Sequence, residues 1–235
     1  MDCVYYSDKG GRDVNEDSIA VVRTENGFCA LVADGLGGQG DGDIASQTVV
    51  SHISAAFRAN PSCKKEDINR YFCEANEKVC AINGGKPNTM STLVGLFCTP
   101  QGLTRAHVGD SRLYHFYNGR IIERTTDHSV PQMAVMLGEI TEGQIRNHPD
   151  RNRILRAIGT SPDLQPDIFT IPMQEGFHAF LLCSDGFWEY VYESEMEIDL
   201  AKSADAAQWL DLMKQRRDSR APADADNNSA IMIFV

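Results

Sequence analysis

The chain has 235 residues, enough for one large domain or two small ones. With 42% hydrophobic and 23% charged residues, it is neither a disordered nor a collagen-like chain. Its 33 Asp and Glu against 22 Lys and Arg leave a charge of −11, which argues against a nucleic-acid binder relying on basic side chains at phosphates. No basic stretch leads into an apolar run at the start, and no apolar run is long enough to span a bilayer. Seven cysteines, an odd number with no Cys-x-x-Cys pair, fit a reduced compartment. The expectation is a cytoplasmic protein without membrane contact.

In chain order, short strand-like runs rich in Val, Ile and Phe occupy residues 18–23, 28–33, 92–98, 104–108, 112–117, 120–124, 178–183 and 230–235. Asn118-Gly119 between two of them signals a hairpin. Helical period appears over 43–59, where Ala45, Val49, Ile53 and Phe57 stand four apart. It appears again over 65–82, through Ile68, Phe72, Ala75, Val79 and Ile82. A third helix is predicted over 204–216, with Ala207, Leu210 and Met213 on one side. Local strand pairing followed by tandem helices is not the alternation of a parallel doubly wound sheet. It predicts an α+β fold with antiparallel sheets covered by helices. Residues 129–149 break the strand rhythm and read as a surface flap; 219–228 is a polar loop leading into the last strand.

The acidic residues are placed in a pattern. Asp34, Asp110 and Asp185 each stand where an apolar strand ends, and Asp226 stands where the last strand begins. In stacked sheets such positions can meet at one end. Carboxylates brought together raise one another's pKa, and a bound divalent cation removes that cost. All-oxygen ligation suits Mg²⁺ or Mn²⁺ better than Zn²⁺. Any one Asp alone is an ordinary turn residue; four in equivalent positions point to a metal. Glu16 and Asp17 add adjacent carboxylates, and Arg12 supplies a fork of donors that fits a phosphate dianion.

With these residues assembled, the chain resembles the metal-dependent Ser/Thr protein phosphatases of type 2C. The motifs are R-D-V-N-E-D from Arg12, V-A-D-G-L-G-G from Val32 and V-G-D-S-R-L-Y from Val108. They continue with T-D-H-S from Thr126, H-P-D-R-N-R-I-L-R-A-I-G from His148, L-C-S-D-G-F-W-E-Y-V from Leu182, and Asp226-Asn227. Each piece is weak alone; seven in the family's order are not. The compact form is similar to stand-alone bacterial members. The run through Phe187, Trp188, Glu189 and Tyr190 is similar to phosphatases found with type VI secretion kinases.

The resemblance implies one domain over 1–235, a central β-sandwich flanked by helices in α-β-β-α layers, and two Mn²⁺ or Mg²⁺ ions at one end. By similarity, Asp34 bridges both ions, the Gly35 carbonyl ligates one, and Asp185 and Asp226 complete the other site. Glu16 and Asp17 hold waters around the ions, and Arg12 grips the substrate phosphate. Asp110 with Asp185 resembles the pair that binds a third, weaker metal. A hydroxide bridging the two ions then attacks phosphorus in line, with no phosphoenzyme. The implied substrates are phosphorylated Ser/Thr proteins, including a cognate kinase and its targets, and the implied state is a monomer. Leu36 departs from relatives that carry His there as a proton donor.

Rival readings start from other motifs. Gly35, Gly37 and Gly40 match the glycine spacing of a dinucleotide-binding oxidoreductase, but no acidic residue ends a second strand about 20 residues on. Gly109-Asp110-Ser111 approaches a serine-esterase motif and lacks its base partner. The run from Asp34 to Ala45 fails as a calcium loop, because Leu36 and Ala45 stand where oxygen ligands belong. A binding-only pseudophosphatase would be favoured by loss of an Asp from the set, and Asp34, Asp185 and Asp226 are all present.

Overall fold

The computed structural model describes residues 1–37, 41–84 and 88–235. Gly38 and Gly40 of the glycine-rich run lie outside the described residues. One sheet contains β1 (Asp2–Asp8), β11 (Asn228–Phe234), β10 (His178–Cys183), β7 (Arg112–Tyr117) and β8 (Arg120–Arg124), in that spatial order. The other contains β2 (Asp17–Thr24), β3 (Gly27–Gly37), β5 (Leu93–Thr99), β6 (Gly102–Val108) and β9 (Asp167–Ile171), with the short β4 (Thr89–Ser91) added to the end of β3. Every described pairing is antiparallel.

Three apolar layers hold the sheets and helices together. Alternate residues of β3 serve two of them. Phe28, Ala30 and Val32 face the other sheet, where they meet Leu182, Phe180 and Ile231. Cys29, Leu31 and Ala33 face α1 (Gly42–Ala59) and α2 (Lys65–Asn83). A strand covered on both faces has to be apolar throughout, which is why 28–33 reads as an unbroken hydrophobic run. The third layer packs Tyr114, Phe116, Leu181 and Met232 against α4 (Asp185–Trp188), α5 (Glu193–Lys202) and α6 (Ala206–Arg220). The order is helices, sheet, sheet, helices, as expected.

The differences from expectation lie at edges. The α1 stripe is fully buried, but the α2 stripe stops at Val79, and Ile82 is 50% exposed because the helix end passes beyond the sheet. On α6 the buried side begins at Ala206, while Ala207 is exposed; Trp209 fills the layer instead. Strands β1 and β9 and helix α5 carry no clear apolar pattern. Each of the two strands is a sheet edge, with half of its side chains in water. Residues 129–149 hold α3 (Val130–Met136) and a 3-10 turn (Glu142–Asn147). Ser129 caps α3 by accepting from the Gln132 N–H, with Pro131 in the first turn.

The topology places the acidic residues. Register pairs Asp17 directly with Asp34 across β2 and β3. The exits of β6 and β10 and the entry of β11 lie at the same end of the sandwich as that pair, around one cleft.

Candidate active site

A cleft of about 440 Å³ opens at this end, lined by Arg12, Glu16, Asp34, Asp110, Asp185 and Asp226 among others. Five segments therefore deliver carboxylates to one place. Asp34 is fixed by its backbone: its N–H donates to Thr92 Oγ1 at 3.0 Å, and its carbonyl accepts from the Thr92 N–H at 2.8 Å. Gly35 follows where no side chain fits, since a Cβ there would stand 2.1 Å from the Gly42 carbonyl oxygen. Asp110 sits in the turn after β6, where its carbonyl accepts from the Trp188 indole N–H at 3.0 Å. Asp185 opens α4, and Asp226 immediately precedes Asn227 and β11.

Of the two expected water-holding carboxylates, Glu16 lines the cleft and accepts from the Gly42 N–H at 3.3 Å. Asp17 is buried behind the wall, where its Oδ2 accepts from Ser184 Oγ at 2.8 Å. Arg12 forks onto Asp226, with Nε to Oδ1 at 3.1 Å and Nη2 to Oδ2 at 2.9 Å. Its place is thus on a candidate ligand at the cleft mouth. Leu36 lines the cleft without a proton to give.

The electrostatics are those of charge held without enough counter-charge. Asp17 Oδ1, Asp110 Oδ1 and Asp185 Oδ1 are buried with no hydrogen-bond partner. Burial first, then the charge on Asp185, pushes Asp34 and Asp110 well above the usual carboxylate range. Burial raises Asp17 to about 7, and burial with the Asp226 charge raises Asp185 to about 6. Glu189, beside Arg151, rises to about 7 through burial and the Asp185 charge. Unpartnered buried oxygens are costly. Hard, all-oxygen, anionic and convergent donors are the set that Mg²⁺ and Mn²⁺ take. The residues present fit such ions.

Several supporting residues were not singled out by the sequence. Asn227, read only as part of a motif, spends its whole side chain on the loop that carries Arg12 and Glu16. Its Oδ1 accepts from the Glu16 N–H at 2.8 Å, and its Nδ2 donates to the Lys9 and Val14 carbonyls. Thr92 and Ser184 hold backbone or carboxylate groups as described, and Met90 and Asn152 line the wall. Their signal is long-range hydrogen bonding, which has no local pattern.

The rivals lose ground on geometry. Gly35 and Gly37 are still inside antiparallel β3, paired with β4, and a dinucleotide fold needs a parallel crossover there. Ser111 is buried and hydrogen-bonded to Thr92 Oγ1 at 2.7 Å, so it is no exposed nucleophile. His107, His128 and Asp167 form a separate cluster that could hold a metal by spacing alone. The hydrogen bonds oppose it. His128 Nδ1 accepts from the Gly109 N–H at 3.1 Å, so the proton of the neutral ring is on Nε2, facing Asp167 at 3.5 Å. A metal at Nε2 would need that lone pair free. The cluster instead braces the Gly109-Asp110 turn.

Comparison with known proteins agrees with this geometry. The family described as protein phosphatase 2C matches residues 8–225. The serine/threonine phosphatase Stp of Listeria welshimeri is 33% identical over 217 residues, spanning 86% of this chain and 84% of that protein. The solved structure of the serine/threonine phosphatase Stp1 from Staphylococcus aureus is 28% identical with a TM-score of 0.87, covering 100% of this chain and 95% of that one. The catalytic domain of the phosphatase PstP, solved with 2 manganese ions, shares the fold at 23% identity and a TM-score of 0.82, covering 99% and 97% of the two chains.

Proposed function

The chain belongs to the protein phosphatase 2C family as a protein serine/threonine phosphatase, and we propose that its acidic cleft hydrolyses phosphoserine and phosphothreonine with the help of two divalent cations, Mn²⁺ or Mg²⁺. The observation that carries the reading is a set of three buried carboxylate oxygens left without hydrogen-bond donors, on Asp110 and Asp185 in the cleft lining and on Asp17 behind its wall. Asp34, the Gly35 carbonyl, Asp185 and Asp226 would hold the two ions, and Asp110 with Asp185 a third. When bound, the cations supply Lewis acidity and an ionised water at neutral pH.

The chain's own groups do the rest. Glu16, which lines the cleft, would order water there, and Asp17, buried behind the wall, is the second carboxylate of that pair. Arg12 turns its fork of donors to the phosphate oxygens and fixes the phosphorus against the carboxylate cluster. Leu36 offers no proton, so the departing seryl or threonyl oxygen takes its proton from water. Residues 129–149 would serve as a flap, with Asn152 and Ile154 just after them lining the cleft, and 1–235 would work as one domain. The complete set of Asp34, Asp185 and Asp226 favours turnover over a binding-only role. A monomer acting on a cognate kinase and its targets, as in type VI secretion control, fits the motifs. No described helix is long and apolar enough to cross a membrane, and the seven cysteines are free; a cytoplasmic site of action is part of the proposal.

Purified protein should hydrolyse a phosphothreonine peptide with Mn²⁺ and stop in excess EDTA. Equal turnover in chelator would overturn the two-cation reading.

A further inference from the structure

Arg217 is a buried cation that neither the motifs nor the cleft chemistry explains. It lies in the last turn of α6, and its side chain is 9% exposed. Its guanidinium leaves the helix and reaches two backbone carbonyls on separate segments. Nε donates to the Gly186 carbonyl at 3.1 Å, and Nη2 donates to the Asp226 carbonyl at 3.4 Å. Nη1 is paired with Asp218 Oδ1 at 3.1 Å. Gly186 is the residue after Asp185, so each acceptor is at or next to a cleft carboxylate. The two segments already touch there: a Cβ on Gly186 would stand 2.1 Å from the Asn227 carbonyl oxygen. One side chain from outside the cleft thus fastens the start of α4, just after β10, to the residues that lead into β11.

We propose that Arg217 is a positioning residue that sets the spacing of Asp185 and Asp226 for cation binding. The inference rests on the reading of the cleft as a cation site. A planar fork can hold two carbonyls at a fixed separation, which a point charge on a flexible stem cannot. Its acceptors lie outside α6, so its hydrogen bonds do not build the helix that carries it.

Charge and geometry make opposite predictions. A cation this close to the cleft repels other cations, so if charge were its role, removing it would tighten metal binding. If spacing is its role, removing it loosens binding. Asp218 already offsets much of the charge, which leaves geometry as the larger effect.

The test is Mn²⁺ titration calorimetry on the full chain. Arg217→Gln should raise the Mn²⁺ dissociation constant about 10–100-fold, the usual loss when a group supporting metal ligands is removed. Arg217→Lys, which keeps the charge and loses the fork, should weaken binding as much. Asp218→Asn, which leaves the fork intact, should stay within about twofold, as for an exposed ion pair. Unchanged or tighter binding in Arg217→Gln, or full rescue by Lys, would overturn the proposal. Absence of Mn²⁺ binding by the unmutated chain would overturn the cleft reading itself. A measurement without substitution covers the case of a variant that does not fold. The Arg217 Nε–H resonance should be slow to exchange and should shift on Mg²⁺ saturation; a fast-exchanging, unmoved signal counts against the role.

Discussion

At the start of β7, Arg112 is buried with Asp127, their side chains 2% and 1% exposed, yet both charges are answered. Arg112 Nε and Nη2 donate to Asp127 Oδ1 and Oδ2 at 2.9 and 2.7 Å, Nη1 donates to the Tyr114 hydroxyl at 3.0 Å, and the Trp188 ring lies 3.5 Å from Cζ. At the cleft and directly behind its wall, by contrast, Asp110, Asp185 and Asp17 each bury an oxygen that nothing answers. The same chain solves the burial of charge completely in one place and leaves it unsolved in the other. The two regions touch, since Trp188 stacks on Arg112 and donates to the Asp110 carbonyl. The paired region is a brace; the unpaired region is where the fold spends stability on function.

The largest effects separate the two. Asp34→Asn should lower turnover about a thousandfold or more, as for other groups at a reacting centre. It should also raise the unfolding temperature in chelator, because it removes one of several mutually repelling carboxylates. A near-normal rate, or a fall in that temperature, would break the contrast. Asp127→Ala should do the reverse and leave Arg112 buried without its partner. The expected loss is about 3–5 kcal/mol, read from the urea midpoint. An unchanged midpoint would show that the brace is not holding the sheet.

A smaller effect is the pH dependence of stability without metal. Asp34, Asp110, Asp17 and Asp185 hold protons in the folded chain that the unfolded chain releases near pH 4. The folded state therefore binds more protons above that pH, and stability is lost as pH rises through the folded values, about 6 to 7 for Asp185 and Asp17. His115 and His128 act with the opposite sign. Burial and a neighbouring histidine hold both at about 4, so stability is lost as pH falls from the ordinary histidine value of about 6.5. Above about pH 6.5 only the carboxylates operate. In chelator, the unfolding temperature should fall between pH 6.5 and 8, and Mn²⁺ should flatten that slope. A flat profile in chelator would mean that the carboxylates carry no excess protons.

The strands of the centre were legible because a sheet covered on both faces forces unbroken apolar runs, as in β3 and β10. The helix stripes of α1 and α2 were legible for the same reason. Edge strands β1 and β9 were not, since their partners, not their own pattern, fix them. Within the cleft, Asp34, Asp110, Asp185 and Asp226 stood out because each interrupts or adjoins an apolar strand. Arg217 did not, because a helix with several arginines gives no sign of which one turns inward. Asn227 and Thr92 act through hydrogen bonds to segments far away in sequence. Such bonds appear only once the chain is folded.

The last and smallest effect concerns Arg12, whose charge at the cleft is both paired and accessible. Its side chain is 54% exposed, and its partner Asp226 43%. Exposed pairs contribute about 0–1 kcal/mol to stability, so Arg12→Ala should leave the unfolding temperature nearly unchanged. If the fork serves the phosphate, KM should rise about tenfold, with kcat held to within a few-fold. If it serves only to hold Asp226, kcat and Mn²⁺ affinity should fall together and KM should stay. Arg12→Lys sharpens the choice. A point charge keeps part of the attraction for a phosphate but loses the bidentate grip on Asp226. Recovery of KM by Lys therefore assigns Arg12 to the substrate, and failure to recover Mn²⁺ affinity assigns it to the carboxylate.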